Sequence, residues 1–383
     1  MTGNDRNPNS RRPSNKAPGK SVSEREVYKS APSRYRKRRS GVNMALVLIT
    51  VLLTAALAAS VIHIAKLSKS AIDDRRDSIE EAINSEKDTM SPKPQVEMIT
   101  VTASAEEVHR GDLILVNYEN PYVFPEDESE LVTVYEHMSD DYRVAYNTFL
   151  LDRDVMDVFN DFAAALREAA GERCLLINST YRSYADQELT YNNYVTDYGE
   201  EAAREYVSDP GYSEHHTGLA MDLTILLDDG TYQKMADYEH YDVINTICVE
   251  YGFIHRYPAT KEGYTHIAHE PWHYRYVGVP HSYVISKEKY CLEEYITLTK
   301  DYTLDGKLLS IDASGTVGEC TVDTMPETGY VIYYVPAGET ETELKIPAAA
   351  DSYSVSGNNS DGFVISVRFG ELTLPESSFA VVG

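Results

Sequence analysis

An α+β fold is predicted for the body of this 383-residue chain, preceded by a membrane-spanning helix and followed by a small all-β module. Three observations predict it. Segments with helical periodicity alternate irregularly with short apolar runs, without the regular strand–helix–strand repeat of a parallel sheet. No charged residue occurs from Ser40 to Ala65. From about Cys291 the composition shifts to Thr, Val, Tyr, Gly and Ser in short runs.

In chain order, residues 1–33 are rich in Ser, Pro, Asn and Arg, and 1–41 read as a disordered basic cytoplasmic tail. That tail carries 12 Lys/Arg against 3 Asp/Glu, a balance of +9, whereas the remainder carries −35 of the net −26. A body so acidic disfavours nucleic-acid partners. Residues 42–65, with the apolar stretch Met44–Ile64, have the length of a transmembrane helix. The basic flank RYRKRRS lies on its N-terminal side, which predicts a cytoplasmic N-terminus and an exported body. Ala56-Leu57-Ala58 resembles a signal-peptide cleavage site, but the preceding segment is too long and the apolar run continues past it. Residues 66–110 are charged and poor in aromatics, a stalk that is partly helical around Ala71–Lys87.

Compact character begins at LILVNYENPYVFP, and residues 111–288 are the expected catalytic domain. Val155, Val158, Phe159, Phe162, Leu166 and Ala169 make Asp154–Ala170 an amphipathic helix that stops before Gly171. Cys174–Ser179 reads as a strand, Ala185–Val207 as a Tyr-rich helix and Ser208–Gly218 as a loop. Leu219–Leu226 (LAMDLTIL) reads as a buried strand, and Tyr241–Tyr251 as a helix closed by Gly252. Tyr264–Val277 has strand composition. Residues 291–383 form the β module, whose role its composition does not choose. The 30 Tyr, against 8 Phe and 1 Trp, suit polar grooves. Of the four cysteines, Cys174 and Cys248 sit in apolar runs as small buried hydrophobes. A Cys291–Cys320 bridge is open either way, and no CxxC pair offers a cysteine metal site.

Two segments concentrate imidazoles and carboxylates: Ser213–Asp222 (SEHHTGLAMD) and His269–Tyr276 (HEPWHYRY). The second matches HExxH, a motif that needs both histidines on one helix face. Pro271 and the surrounding strand composition are incompatible with that helix, so His269 is expected to be a wall residue rather than a ligand. Taking one histidine from each segment gives His215, Asp222 and His273, a donor set suited to catalytic zinc. Asp222 in an apolar strand needs a cation or several hydrogen bonds, and an arginine would serve as well as a metal. Glu270 is close enough to serve as base for the attacking water. Arg182, where STYRSYADQ turns from strand to helix, can reach a cleft to meet negative charge, or make an ordinary surface ion pair.

The segments STYRSYADQ, SEHHTGLAMD and EPWHYRYVG resemble, in the same order, those of the VanY-type zinc D-alanyl-D-alanine carboxypeptidases, with the pattern SxHxxGxAxD followed by ExWH. The resemblance extends from about Leu113 to His281 and includes EYGFIHRYP. It implies the hedgehog/DD-peptidase type of α+β fold, with Zn2+ held by His215, Asp222 and His273 and Glu270 as general base. It implies Arg182 as the group stabilising substrate or transition state, with Ser213, Gln187, Tyr181 and Trp272 lining the substrate cleft. It also implies a single-pass bacterial membrane enzyme trimming the terminal D-Ala from peptidoglycan stem peptides. L,D-carboxypeptidases share these motifs and are the alternative. An inert wall-binding protein is a further one, although no ligand or base is missing. His216 stands where relatives often carry Gln or another polar residue, and HIAHEP is richer in histidine than usual.

Overall fold

The computed structural model describes residues 44–89 and 96–372. The expected basic tail, residues 42–43, the stalk's 90–95 and the last residues, 373–383, lie outside the described residues. The chain divides into two units, Met1–Ser91 and Pro92–Gly383.

Within the first unit, Met44–Thr89 is one α-helix. Its Leu52–Ser70 stretch, 19 residues of mean hydropathy 1.3 with none of it buried, is long and apolar enough to cross a membrane. The helix continues through the expected stalk, whose Glu, Lys, Arg and Ala favour it.

The second unit is built on a six-stranded sheet ordered Arg143–Val144, Leu175–Ser179, Ala220–Leu226, His273–Tyr276 and Phe253–His255, with Tyr232–Gln233 paired to the third. Only the first pairing is parallel. The helices Arg153–Ala170 and Tyr241–Glu250 cover one face, burying Val155, Phe159, Phe162, Ile244 and Cys248 with Phe253. Asp152 caps the first helix, its carboxylate accepting from Asp154 N at 2.9 Å, and Gly171 at φ 77° ends it. Gly252, also at positive φ, follows the second.

Several expected elements take a different form. The Ala185–Val207 helix is two, Tyr184–Tyr198 and Glu200–Tyr206, because Gly199 at φ 91° breaks it. Tyr264–Val277 is strand only over His273–Tyr276. Before it come a helical turn at Glu262–Thr265, His266 in the left-handed region, and a loop around Pro271, which has no N–H for a ladder. Met98–Ser104, placed in the stalk by sequence, is a strand paired with Glu341–Pro347. All four cysteines are free, so the Cys291–Cys320 bridge is not formed; Cys174 and Cys248 are buried as expected.

The C-terminal strands form an antiparallel five-stranded sheet: Val317–Cys320, Leu308–Asp312, Gly329–Pro336, Gly362–Phe369 and Ser352–Gly357. This sheet is not free-standing. Alternate residues Val331, Tyr333, Phe363, Ile365 and Val367 enter a small second core with Leu344 and Ile346. Their neighbours Ile332, Tyr334 and Val364 enter the main core instead. The helix Leu292–Thr299, which sequence assigned to the module, also packs into the main core through Leu292, Tyr295 and Ile296.

Candidate active site

Pairing between two central strands builds the site. Ala220–Leu226 and His273–Tyr276 run antiparallel with Asp222 directly opposite His273, so residues 51 apart in sequence become cross-strand neighbours. Asp222 Oδ1 lies 3.1 Å from His273 Nδ1. His215 arrives from the short 3-10 turn Glu214–Thr217, just before the first strand. Ser213 caps that turn, and Gly218 at φ 72° closes it. A side chain at Gly218 would meet Leu131 Cδ2 at 2.7 Å, so glycine is needed for both conformation and space. His215 Nε2 lies 3.5 Å from Asp222 Oδ2, and the two imidazoles stand at 88° to each other.

Donor atoms of His215, Asp222 and His273 all lie within 4.8 Å of one another. The far nitrogen of each imidazole is engaged: His215 Nδ1 donates to Thr180 O at 2.7 Å, and His273 Nε2 to Glu214 Oε2 at 3.4 Å. One nitrogen per ring is thereby held by the protein and the other is left facing the shared centre, the arrangement metal-binding histidines use. Three protein donors beside a cavity also leave a position open, so these residues fit a catalytic zinc.

The cavity at this centre has a volume of about 400 Å³. Arg182, Gln187, Ser213, Glu270, Trp272 and Tyr257 line it beside the three donors. Arg182 holds its backbone N–H to His215 O at 3.0 Å, while its buried side-chain Nε has no partner. Buried Gln187 donates from Nε2 to Ser208 O and leaves Oε1 unpaired. Unpaired buried groups of this kind are what a polar ligand satisfies. Trp272, 37% exposed, stands at the rim. Glu270 Oε2 lies 3.7 Å from His273 Nδ1, and burial pushes its carboxyl up to about 8. Burial opposes charge on His273, but its hydrogen bonds to Asp222 and Glu214 outweigh this and raise it to about 9. Burial, with Arg182 nearby, lowers His215 to about 4.

Tyr181 does not join this group. Tyr181 lines a separate cavity, where its hydroxyl donates to Glu128 at 2.6 Å. His269 meets the imidazole of His255 edge-on, centroids 5.4 Å apart, and lies in loop rather than helix. His216 is occupied at both nitrogens, donating to Arg182 O and accepting from Gly211 N.

Sequence reasoning missed the charge network behind the site. Glu214 is completely buried and accepts from Arg256 Nε at 2.8 Å and Arg275 Nη1 at 3.1 Å, besides facing His273. Burial alone would raise its pKa; the two guanidinium groups instead hold it far below the usual carboxylate range. Arg256 makes a second, two-pronged pair with Glu293 at 2.7 and 2.9 Å. The available signal was a charge set among apolar and aromatic residues, at Arg256 in FIHRYP; Glu214, within the polar SEHHTG, gave none.

Residues 148–279 match the family described as VanY, D-alanyl-D-alanine carboxypeptidase. A D-alanyl-D-alanine carboxypeptidase of Enterococcus faecium is 30% identical over 268 residues, 70% of this chain and 78% of the relative. The bifunctional D-Ala-D-Ala dipeptidase and D-Ala-D-Ala carboxypeptidase VanXYC of Enterococcus gallinarum is 35% identical over 150 residues, 38% of this chain and 79% of that one. Among solved structures, the vancomycin-resistance D,D-dipeptidase VanXYg, in complex with a D-Ala-D-Ala phosphinate analog, superposes with TM-score 0.59 at 34% identity. That match covers 71% of this chain and 99% of the solved one.

Proposed function

The chain belongs to the VanY family of D-alanyl-D-alanine carboxypeptidases, and from that premise we propose that it is a zinc-dependent hydrolase removing the C-terminal D-Ala from peptidoglycan stem peptides. The observation that carries the reading is the convergence of His215, Asp222 and His273 with Glu270 and Arg182 on one cavity. The Met44–Thr89 helix supports placing this site at a membrane, with the basic N-terminal segment inside and the acidic body outside, where peptidoglycan lies.

Zinc at this centre supplies a Lewis acid that lowers the pKa of water and polarises a scissile carbonyl. His215 and His273 offer one nitrogen each, their rings fixed by Thr180 and Glu214, and Asp222 offers its carboxylate. Glu270 takes the proton of the attacking water and passes it to the leaving amine. The Arg182 guanidinium counters negative charge on the substrate, at its terminal carboxylate or at the oxygen that becomes an oxyanion. Gln187 and Ser213 present polar groups to the peptide, and Trp272 covers the rim.

Mass analysis of products from pentapeptide and tetrapeptide stems tests the reading. Loss of one D-Ala from the pentapeptide is expected. Action on the tetrapeptide alone would turn the assignment to an L,D-carboxypeptidase, and action on neither would reject it.

A further inference from the structure

Away from the scissile bond, and resting on the function just proposed, a second feature bears on what the enzyme reads. The active-site cavity shares Val207, Ser208, Tyr257 and Ile267 with a neighbouring cavity of about 450 Å³. That one shares Asn117, Tyr118 and His266 with a third, of about 740 Å³. The three cavities adjoin in series through these shared residues, and the third is the largest of them.

Most of the third compartment's wall lies outside residues 148–279. It is formed by the 115–120 segment, by the Leu292–Thr299 helix and by the turn of the C-terminal sheet at Asn358 and Ser360. Only Gly263, Tyr264 and His266 come from the matched region. The compartment thus depends on segments beyond the matched region, among them this turn of the C-terminal sheet, that otherwise have no part in catalysis.

Its chemistry narrows the occupant. Tyr118 and Tyr264, which line it, are 50% and 54% exposed. The Tyr118 ring is held against His266, centroids 4.2 Å apart, and Lys261 Nζ sits 5.5 Å from the Tyr264 ring. Asn117 is fixed by accepting from Asn120 Nδ2 at 2.8 Å. Supported aromatic faces ringed by polar groups suit a ligand with apolar C–H faces and a hydroxylated edge, the description of a sugar ring. Glu293 and Glu294 on this wall are paired with Arg256 and Lys261, which leaves Glu119 and Asp301 beside Lys300 and no cluster of free cations to hold an anionic polymer or nucleic acid. A sugar bearing an amide-linked peptide is uncharged at the junction. An extended peptide advances about 3.3 Å per residue, so a stem of a few residues suits the middle compartment between scissile bond and sugar.

We propose that this third compartment binds the glycan end of the substrate, so that sugar and stem peptide are read together. The test uses the full-length, detergent-solubilised, zinc-loaded protein with two substrates, a free pentapeptide stem and the same stem attached to its disaccharide. The disaccharide-linked stem is expected to have about tenfold higher kcat/KM, mostly through KM. Tyr264→Ala, whose side chain lines the third compartment and not the middle one, should abolish that preference while leaving the free pentapeptide's kcat/KM unchanged. Equal turnover of both substrates by the unaltered protein would overturn the proposal. So would a variant that slows both substrates alike, which would give the compartment to the peptide. Should neither substrate lose D-Ala, the hydrolase reading fails, and titration with the peptide-free disaccharide decides the compartment separately. Saturable binding that Tyr264→Ala abolishes would uphold it, and no binding would sink it.

Discussion

Replacing Glu214 tests the link between the buried charge network and the metal centre. Its carboxylate is wholly buried and serves Arg256, Arg275 and His273 together, while Glu293 is the second carboxylate on Arg256. Glu214→Ala therefore leaves two buried guanidinium groups facing one carboxylate, with Arg275 reduced to the carbonyls of Asp112, Ile114 and Tyr276. Breaking a buried pair from one side costs about 3–5 kcal/mol. For a unit of this size that corresponds to a melting temperature lower by roughly 10 °C. Glu214→Gln keeps the shape and one acceptor for the arginines but removes the negative charge facing His273, and is expected to cost about 1–3 kcal/mol. Both variants also release the imidazole from its orienting partner, a loss that weakens metal binding by about 10- to 100-fold. Urea unfolding gives the stability term, and chelator competition on the folded Glu214→Gln protein gives the metal term. The reasoning fails if Glu214→Ala unfolds within about 1 kcal/mol of the unaltered chain. It fails equally if Glu214→Gln holds zinc with undiminished affinity.

Five other outcomes are expected. Glu270→Ala should lower kcat by about 10²- to 10⁴-fold with zinc content unchanged, whereas His215→Ala should lose zinc by metal analysis. Arg182→Ala should cost about 10²- to 10³-fold in kcat/KM on D-Ala-terminated peptides, with zinc retained; a loss of tenfold or less would remove its role in meeting substrate charge. Burial lowers His281 to about 3, its Nδ1 accepting from Tyr295 Oη, while the unfolded chain takes up that proton at the ordinary value of 6.5. Protons thus favour unfolding as pH falls from 6.5 towards 3: about 2 kcal/mol of stability should be lost by pH 5, and a His281→Gln variant should lack that slope in urea midpoints. Deleting residues 1–91 should release the protein from the membrane fraction, and alkaline extraction of the full chain would contradict the anchor.

Much of the site was legible because the chemistry is carried by residue types in short, local patterns. Asp222 in an apolar strand demanded a counter-charge, and Pro271 excluded the helix that HExxH needs. The main helices and strands followed from periodicity, as at Arg153–Ala170 and Ala220–Leu226. What stayed hidden depended on contacts between distant segments. Met98–Ser104 looks like a linker until Glu341–Pro347 pairs with it, and both faces of Gly329–Pro336 are apolar because two different cores take them. Tyr181 and Arg182, neighbours in the connection after Leu175–Ser179, line different cavities, and composition is blind to that choice.

The same dependence explains why the metal centre tolerates its long sequence gap. Asp222 and His273 meet because a register is kept, so the intervening chain is free to carry two helices, two strands and their loops without disturbing them. A one-residue slip between these strands would send Asp222 and His273 to opposite faces, whereas an insertion in the exposed 228–231 turn would change nothing at the donors. Register is in turn enforced by burial on both sides: Met221 and Leu223 in the core, and Tyr274 beside them. On the cavity side, Glu214 ties the second strand's His273 and Arg275 to the turn that bears His215. The buried ion network therefore acts as a clamp on geometry, and its expected cost when cut falls on metal affinity as well as on stability.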